Sequence, residues 1–188
     1  MITDGQLTPG NFKTRSDEVL ELIKAAIDKG INCLQVREKN LGGGMLYDLV
    51  LKVKAGLRGE IPVLVNERLD VALAAGADGV HLPEKALPTA VARRLAGNGF
   101  LIGRSIHSKE SLAEEIAGDA DYFVFGPVFA TPGKGEGRGI QALGEIIRAA
   151  EKIPVIAVGG VDFSNAEEIL KQGAAGWAAI RCFARQYF

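Results

Sequence analysis

Apolar and polar residues recur along this chain with two different periods. Val19, Leu20, Ile23, Ala26 and Ile27 follow the three-and-four spacing of an amphipathic helix, as do Leu46, Leu49, Val50, Val53 and Leu57. Between such stretches stand short apolar runs: Ile31-Asn32-Cys33-Leu34-Gln35-Val36, Pro62-Val63-Leu64-Val65, Gly79-Val80-His81-Leu82, Leu101-Ile102-Gly103, Tyr122-Phe123-Val124-Phe125, Pro154-Val155-Ile156-Ala157-Val158 and Gly176-Trp177-Ala178-Ala179-Ile180. Runs this short and this apolar read as buried strands. Met1-Ile2-Thr3 reads as a shortened first strand. Ser108 and Ser164 are candidate helix N-caps, and Ser164-Asn165-Ala166-Glu167 has the Ser-x-x-Glu pattern of a capping box.

The runs are punctuated regularly. Gly30, Gly76, Gly118 and Gly173 each follow a helical stretch and precede a strand, as helix-ending glycines do. Their spacings of 46, 42 and 55 residues each hold about two strand–helix units. Eight strands alternating with helices predict a compact α/β chain, a (β/α)8 TIM barrel. An open doubly wound sheet is the alternative, but no Gly-x-Gly-x-x-Gly turn follows the first strand. At 188 residues the barrel is small, so short loops, a short N-terminal strand and a clipped C-terminal helix are expected. No Pro/Ser-rich linker divides the chain, and residues 1–188 are expected to form a single domain.

Composition narrows the function. Lys and Arg number 22 against 23 Asp and Glu, a net charge of −1 that argues against a general nucleic-acid binder. Cys33 and Cys182 make no disulfide framework and read as small buried hydrophobes in a reducing, cytoplasmic setting. No apolar run approaches the ~20 residues that span a bilayer, and Met1-Ile2-Thr3-Asp4 lacks the regions of a signal peptide.

In a barrel, chemistry sits at the C-terminal ends of the strands. Gln35-Val36-Arg37-Glu38-Lys39 ends one strand; Gln35 and Arg37 share a face, and an amide, a guanidinium and an ammonium in sequence read either as a polyanion site or as a solvated strand end with an Arg–Glu pair. Glu67, in Asn66-Glu67-Arg68, reads either as a Mg²⁺ ligand or as a helix cap. His81 and His107 read as acid/base or phosphate donors, or as hydrogen-bonded structure. Ser105 shares a parity with His107, while Arg104 faces elsewhere. The glycine-rich stretch Gly126–Gly139 reads either as a mobile lid whose Thr131 and Lys134 meet phosphate or as a plain surface loop carrying two cations. Gly159-Gly160 lets backbone N–H groups approach an anion at a helix N-terminus. Arg37, Lys39, Lys134, Arg138 and Arg181 fall on one predicted rim, which favours an anionic small molecule.

Several of these segments together resemble the thiamine-phosphate synthase/TenI family: Leu34–Lys39, Val65-Asn66, Ala74–Leu82, Asp121–Pro132 and Pro154–Val161, in a likeness running from Ile2 to about Ile180. The resemblance implies a compact (β/α)8 barrel. It implies that Gln35, Arg37, Lys39 and Asn66 hold a hydroxymethylpyrimidine diphosphate, that Lys134 and Thr131 touch phosphates, that Ser105 is the site serine, and that Gly159 and Gly160 form a thiazole-phosphate loop. The synthase branch joins the two substrates with Mg²⁺, releasing pyrophosphate. The TenI branch includes a metal-free thiazole tautomerase, which on this chain would use another acid/base group, His81 or His107.

Departures from the family decide between branches. The synthase Asn-Asp is Asn66-Glu67, a second acidic metal ligand is matched by Ala86, the lid threonine before the lysine is Gly133, and Arg181 replaces a small phosphate-loop residue. The tautomerase histidine after Phe-Gly is Pro127. His81-Leu82-Pro83 and the segments 102–108 and 134–139 resemble the TenI branch. The reading favoured here is therefore TenI-like, needing no cofactor; the alternatives are a true synthase with Mg²⁺, and a non-catalytic phosphate-binding barrel. Partners are phosphorylated thiamine precursors, with no nucleic acid, no membrane, and self-association into a homo-oligomer.

Overall fold

The computed structural model describes residues 1–133 and 135–183. Two compact units divide this stretch, Met1–His81 together with Phe183, and Leu82–Cys182.

The first unit runs α1 (Phe12–Asp28), β1 (Leu34–Val36), α2 (Gly43–Leu57), β2 (Val63–Asn66), α3 (Leu69–Ala74) and β3 (Gly79–Leu82). Its strands pair in parallel in chain order, Leu34 with Val63, Val36 with Val65, and Asn66 with His81. Helix α2 packs on α1, α3 and β2, with Leu49, Val50 and Val53 fully buried. α1 comes close enough to α2 that a Cβ on Gly56 would fall 2.8 Å from both Cδ atoms of Leu20. The predicted apolar faces of both helices are the buried ones.

The second unit runs α4 (Thr89–Ala96), β4 (Leu101–Ile106), α5 (Lys109–Glu115), β5 (Tyr122–Phe125), α6 (Ile140–Ala149), β6 (Val155–Val158), α7 (Ala166–Lys171) and β7 (Gly176–Ala178). Strands β4 to β7 are again parallel and in chain order. Alternation splits the ladder into two faces. Ile106, Phe123, Phe125, Val155 and Ala157 join Leu112, Leu143, Ile146 and Ile169 of the helices in one apolar core. Gly103, Ser105, Val124, Ile156 and Val158 point the other way.

The expected closed eight-stranded barrel is corrected in one respect: the described residues hold seven strands and seven α-helices in TIM-like alternation. Met1-Ile2-Thr3 contributes only an isolated parallel bridge, Ile2 to Gln35. Beyond Thr3 the chain leaves this register because the buried Glu38 carboxylate captures its backbone donors. Glu38 Oε2 accepts from Leu7 N at 2.9 Å and Oε1 from Gly5 N at 3.3 Å. After β7 the described chain ends in a short 3-10 turn, Arg181–Phe183.

Caps behave mostly as predicted. Gly30, Gly76 and Gly173 take positive φ, but at the third site Asp119 (φ 62°) does so in place of Gly118. The capping boxes are reversed from expectation. Ser108 and Ser111 form a reciprocal box at α5. Ser164 does not cap α7; its hydroxyl donates to Asp162 Oδ1 at 2.6 Å, and the N-cap residue is Asn165. No helix of the described residues is long and apolar enough to cross a membrane.

Candidate functional site

In the first unit the strand register sets the candidate groups in a row. Leu34, Val36, Val63, Val65 and Val80 share one face, the apolar one. Gln35 therefore faces the other side, with Asn66 and His81 one step further toward the strand ends, and Arg37 follows just past β1. Gln35, Asn66 and His81 are buried, and Arg37 is half-buried. Arg37 is anchored through its backbone, N donating to Thr3 Oγ1 at 2.8 Å, and its guanidinium lies beside Gly5. Lys39 is exposed on the following turn. Glu67 is exposed, with backbone φ of 65°, and its N donates to His81 O at 2.8 Å. Burial pushes the Glu38 carboxyl above the ordinary range, against the hydrogen bonds it accepts.

In the second unit, Ser105 lies on the face of β4 opposite the core, beside Val124. Arg104 faces the helices and is buried. Its Nη2 meets Glu115 Oε1 at 2.6 Å and donates to Glu84 O at 2.8 Å, while Nη1 donates to Leu87 O at 3.0 Å. Thr89 Oγ1 donates to Glu115 Oε2 at 2.6 Å, completing the network. His107, just past β4, has Nδ1 2.7 Å from Gly126 O; since a carbonyl only accepts, this nitrogen carries the proton.

The loop after β5 is not free at its base. Val128 N donates to Val158 O at 2.9 Å and Phe129 N to Gly159 O at 3.0 Å. On the returning arm Arg138 N donates to Pro127 O at 2.8 Å and Gly139 N to Val128 O at 2.9 Å. The tip closes with a bridge between Thr131 and Gly135, and the Thr131 hydroxyl donates to Phe129 O at 3.1 Å. Lys134 lies outside the described residues. The base of the expected lid is thus a hydrogen-bonded extension of the ladder.

Gly159 (φ 92°) and Gly160 (φ 66°) turn the chain beneath this base. A Cβ on Gly160 would lie 2.6 Å from Phe129 Cβ and 2.9 Å from Ala130 O. The pair does not sit at a helix N-terminus as expected; residues 161–165 intervene before α7.

A parallel β/α chain with amides and a guanidinium at the ends of one ladder, and a glycine turn at the ends of the other, invites comparison with known proteins. The family model for thiamine monophosphate synthase matches residues 2–183. The chain belongs to the thiamine monophosphate synthase family. It is 38% identical to the thiamine-phosphate synthase of Syntrophomonas wolfei over 184 residues, covering 96% of this chain and 85% of that one. It is 40% identical to the thiamine-phosphate synthase of Methanoculleus marisnigri over 182 residues, covering 92% and 82%. The solved structure of thiamine phosphate pyrophosphorylase from Pyrococcus furiosus matches with a TM-score of 0.83 and 33% identity, over 99% of this chain and 87% of that one.

Synthase-family chemistry brings Mg²⁺ into question, and the donor set can be tested against it. Mg²⁺ is usually held by one or two carboxylates together with substrate phosphates. Glu67 offers one carboxylate at the end of β2. Position 86 offers none, and no group of three or more His, Cys, Asp or Glu side chains among the described residues forms a metal cage. A single carboxylate fits an ion held jointly with substrate phosphates.

Two features of this family member escape sequence reasoning. Asn165 looks like an ordinary N-cap, yet its side chain turns back to the glycine turn, with Nδ2 donating to Gly160 O at 2.9 Å. Strand parity puts Arg104 on the correct face, but its partners lie 11 to 20 positions away, and no local pattern announces them.

Proposed function

We propose that this chain is a thiamine-phosphate synthase, joining hydroxymethylpyrimidine diphosphate to thiazole phosphate. The TenI-like reading favoured by parts of the sequence yields to its alternative. The observation that carries this choice is Pro127. It occupies the position matched to the tautomerase histidine, packs on Gly159, and has no proton to transfer. The named relatives point the same way.

The reaction breaks the bond between the pyrimidine methylene and the diphosphate oxygen. Pyrophosphate leaves with the electron pair, and the thiazole nitrogen forms the new bond to the methylene, becoming quaternary. No protein nucleophile is required, so catalysis rests on holding and stabilising the leaving charge. Gln35 and Asn66 supply amides from the buried row at the ends of β1 and β2, and Arg37 supplies a bidentate fork for the diphosphate. Lys39 and Lys134 add point charges. Glu67 would hold Mg²⁺, which when bound neutralises charge on the departing pyrophosphate. Ser105 and Thr131 serve as hydroxyl contacts, and Gly159-Gly160 receives the thiazole phosphate.

The test is turnover of both substrates with Mg²⁺. Thiamine phosphate should form at about 0.1–10 s⁻¹. No product, together with isomerisation of a thiazole carboxylate phosphate, would return the chain to the tautomerase branch.

A further inference from the structure

The Gly159-Gly160 turn has a mount that its proposed role does not use. Asn165 stands at the N-cap of α7, where an Asn side chain ordinarily accepts a hydrogen bond from the first helical turn. Here it makes no such bond. Instead both ends of the amide reach backward: Nδ2 donates to Gly160 O at 2.9 Å, and Oδ1 accepts from Asp162 N at 3.0 Å. Asp162 in turn accepts from Ser164 N at 2.8 Å and Ser164 Oγ at 2.6 Å. Segment 160–165 is therefore closed by side chains upon its own backbone.

This closure fixes one peptide plane. A trans peptide holds its C=O and N–H antiparallel. With Gly160 O drawn to Asn165, the Val161 N–H points away from the start of α7. Phe129 and Ala130 O bar the Cβ direction of Gly160, so the plane is confined from that side too.

We propose that Asn165 is a positioning residue for the thiazole phosphate: by bridging Gly160 O and Asp162 N it aims the Val161 N–H at the phosphomonoester. The proposal rests on the reading that this turn receives that phosphate. Asn165 does not touch the reacting atoms. Its effect is confined to one substrate, which separates it from a residue that merely stabilises the fold.

Asn165→Asp keeps the acceptor for Asp162 N and removes the donor to Gly160 O. It should raise KM for thiazole phosphate by about tenfold or more, the scale of a hydrogen bond to a charged group, and leave KM for the pyrimidine diphosphate within about twofold. Equal changes in both constants, or no change, would overturn the proposal. Wild-type protein supplies a second measurement that survives a misfolded variant. On titration with thiazole phosphate, the Val161 amide resonance should shift; an unmoved resonance while the ligand binds also overturns it. If wild-type protein binds thiazole phosphate with that shift but makes no thiamine phosphate, the synthase reading fails while the positioning role stands.

Discussion

Pro127 lies directly against Gly159, so that a Cβ on Gly159 would fall 2.5 Å from both Cα and Cβ of Pro127. The contact joins the base of the β5–α6 loop to the glycine turn. Two separate costs therefore attend Gly159→Ala: a side chain at φ 92°, worth about 1–2 kcal/mol, and overpacking, worth about 1–3 kcal/mol. Gly30 separates them, since it shares the φ of 92° but has nothing within 4 Å of its Cβ position. Urea unfolding should show Gly159→Ala losing about 1–3 kcal/mol more than Gly30→Ala. Equal losses would mean that the Pro127 contact gives way freely.

Glu67 carries its carboxylate on a left-handed backbone, φ 65°. Asp tolerates this region better than Glu because its short side chain can hydrogen-bond locally. Glu67→Asp should raise stability by about 0.5 kcal/mol and Glu67→Gly by about 1 kcal/mol. Only the aspartate variant should retain Mg²⁺-dependent turnover. Chemical denaturation and a Mg²⁺ titration of the rate read the two effects separately.

Glu38 gives a pH dependence of unusual sign. Its carboxyl is raised above the ordinary value, first by burial and further by Asp4, although Thr3, Leu7 and Gly5 oppose the shift. A group that holds its proton more tightly when folded adds stability at low pH and loses it as pH rises through the folded value. Glu38→Gln removes this contribution and also sets an amide NH₂ against a backbone donor, at about 1–2 kcal/mol. The stability gap between wild type and Glu38→Gln should widen as pH falls through the carboxylate range. A gap that narrows on acidification would show that the native carboxylate is stabilised instead.

Some structural signals are stored in side chains and some only in the backbone, and this division sets what was legible in the sequence. Helices α1 and α2 were legible because side-chain periodicity is written in the residues themselves. The seven strands were legible from apolar runs, and glycine spacing gave the alternation. The opposite faces of Gln35 and Val36 needed only the pleat. By contrast, the base of the 126–139 loop is held by backbone bonds, such as Val128 N to Val158 O, which leave no side-chain signature. The Ser164 box failed because Asp162, two residues earlier, competes for the same hydroxyl. The left-handed conformation at Glu67 is a property of φ, and Glu is not a residue that announces it.

Buried Arg104 and partly buried Glu115 form an ion pair, with side chains 5% and 15% exposed. Removing one partner strands the other charge, which typically costs about 3–5 kcal/mol. Arg104→Met should lose that much, because Glu84 O and Leu87 O lose their donor as well. Arg104→Met with Glu115→Leu should recover part of the loss. Thermal or urea unfolding of both single variants and the double variant closes the cycle, and strict additivity would show that the pair is not coupled.

The same Arg104 network prepares the ground for Ala86. Glu84 O and Leu87 O are both tied to the guanidinium, and Ala86 N donates to Pro83 O at 2.9 Å, so the backbone around position 86 is fixed from two sides. By the family resemblance, Ala86 stands where a second acidic metal ligand would be expected. An aspartate there would be presented on a rigid loop, and ligand preorganisation rather than charge alone governs Mg²⁺ sites. Ala86→Asp should lower the Mg²⁺ concentration for half-maximal turnover by about tenfold, the scale of one charge-assisted contact. In an Arg104→Met background the same substitution should lower it much less, because the loop has lost its clamp. Equal gains in both backgrounds would show that the clamp does not position residue 86, and no gain in either would remove this loop from the metal's surroundings.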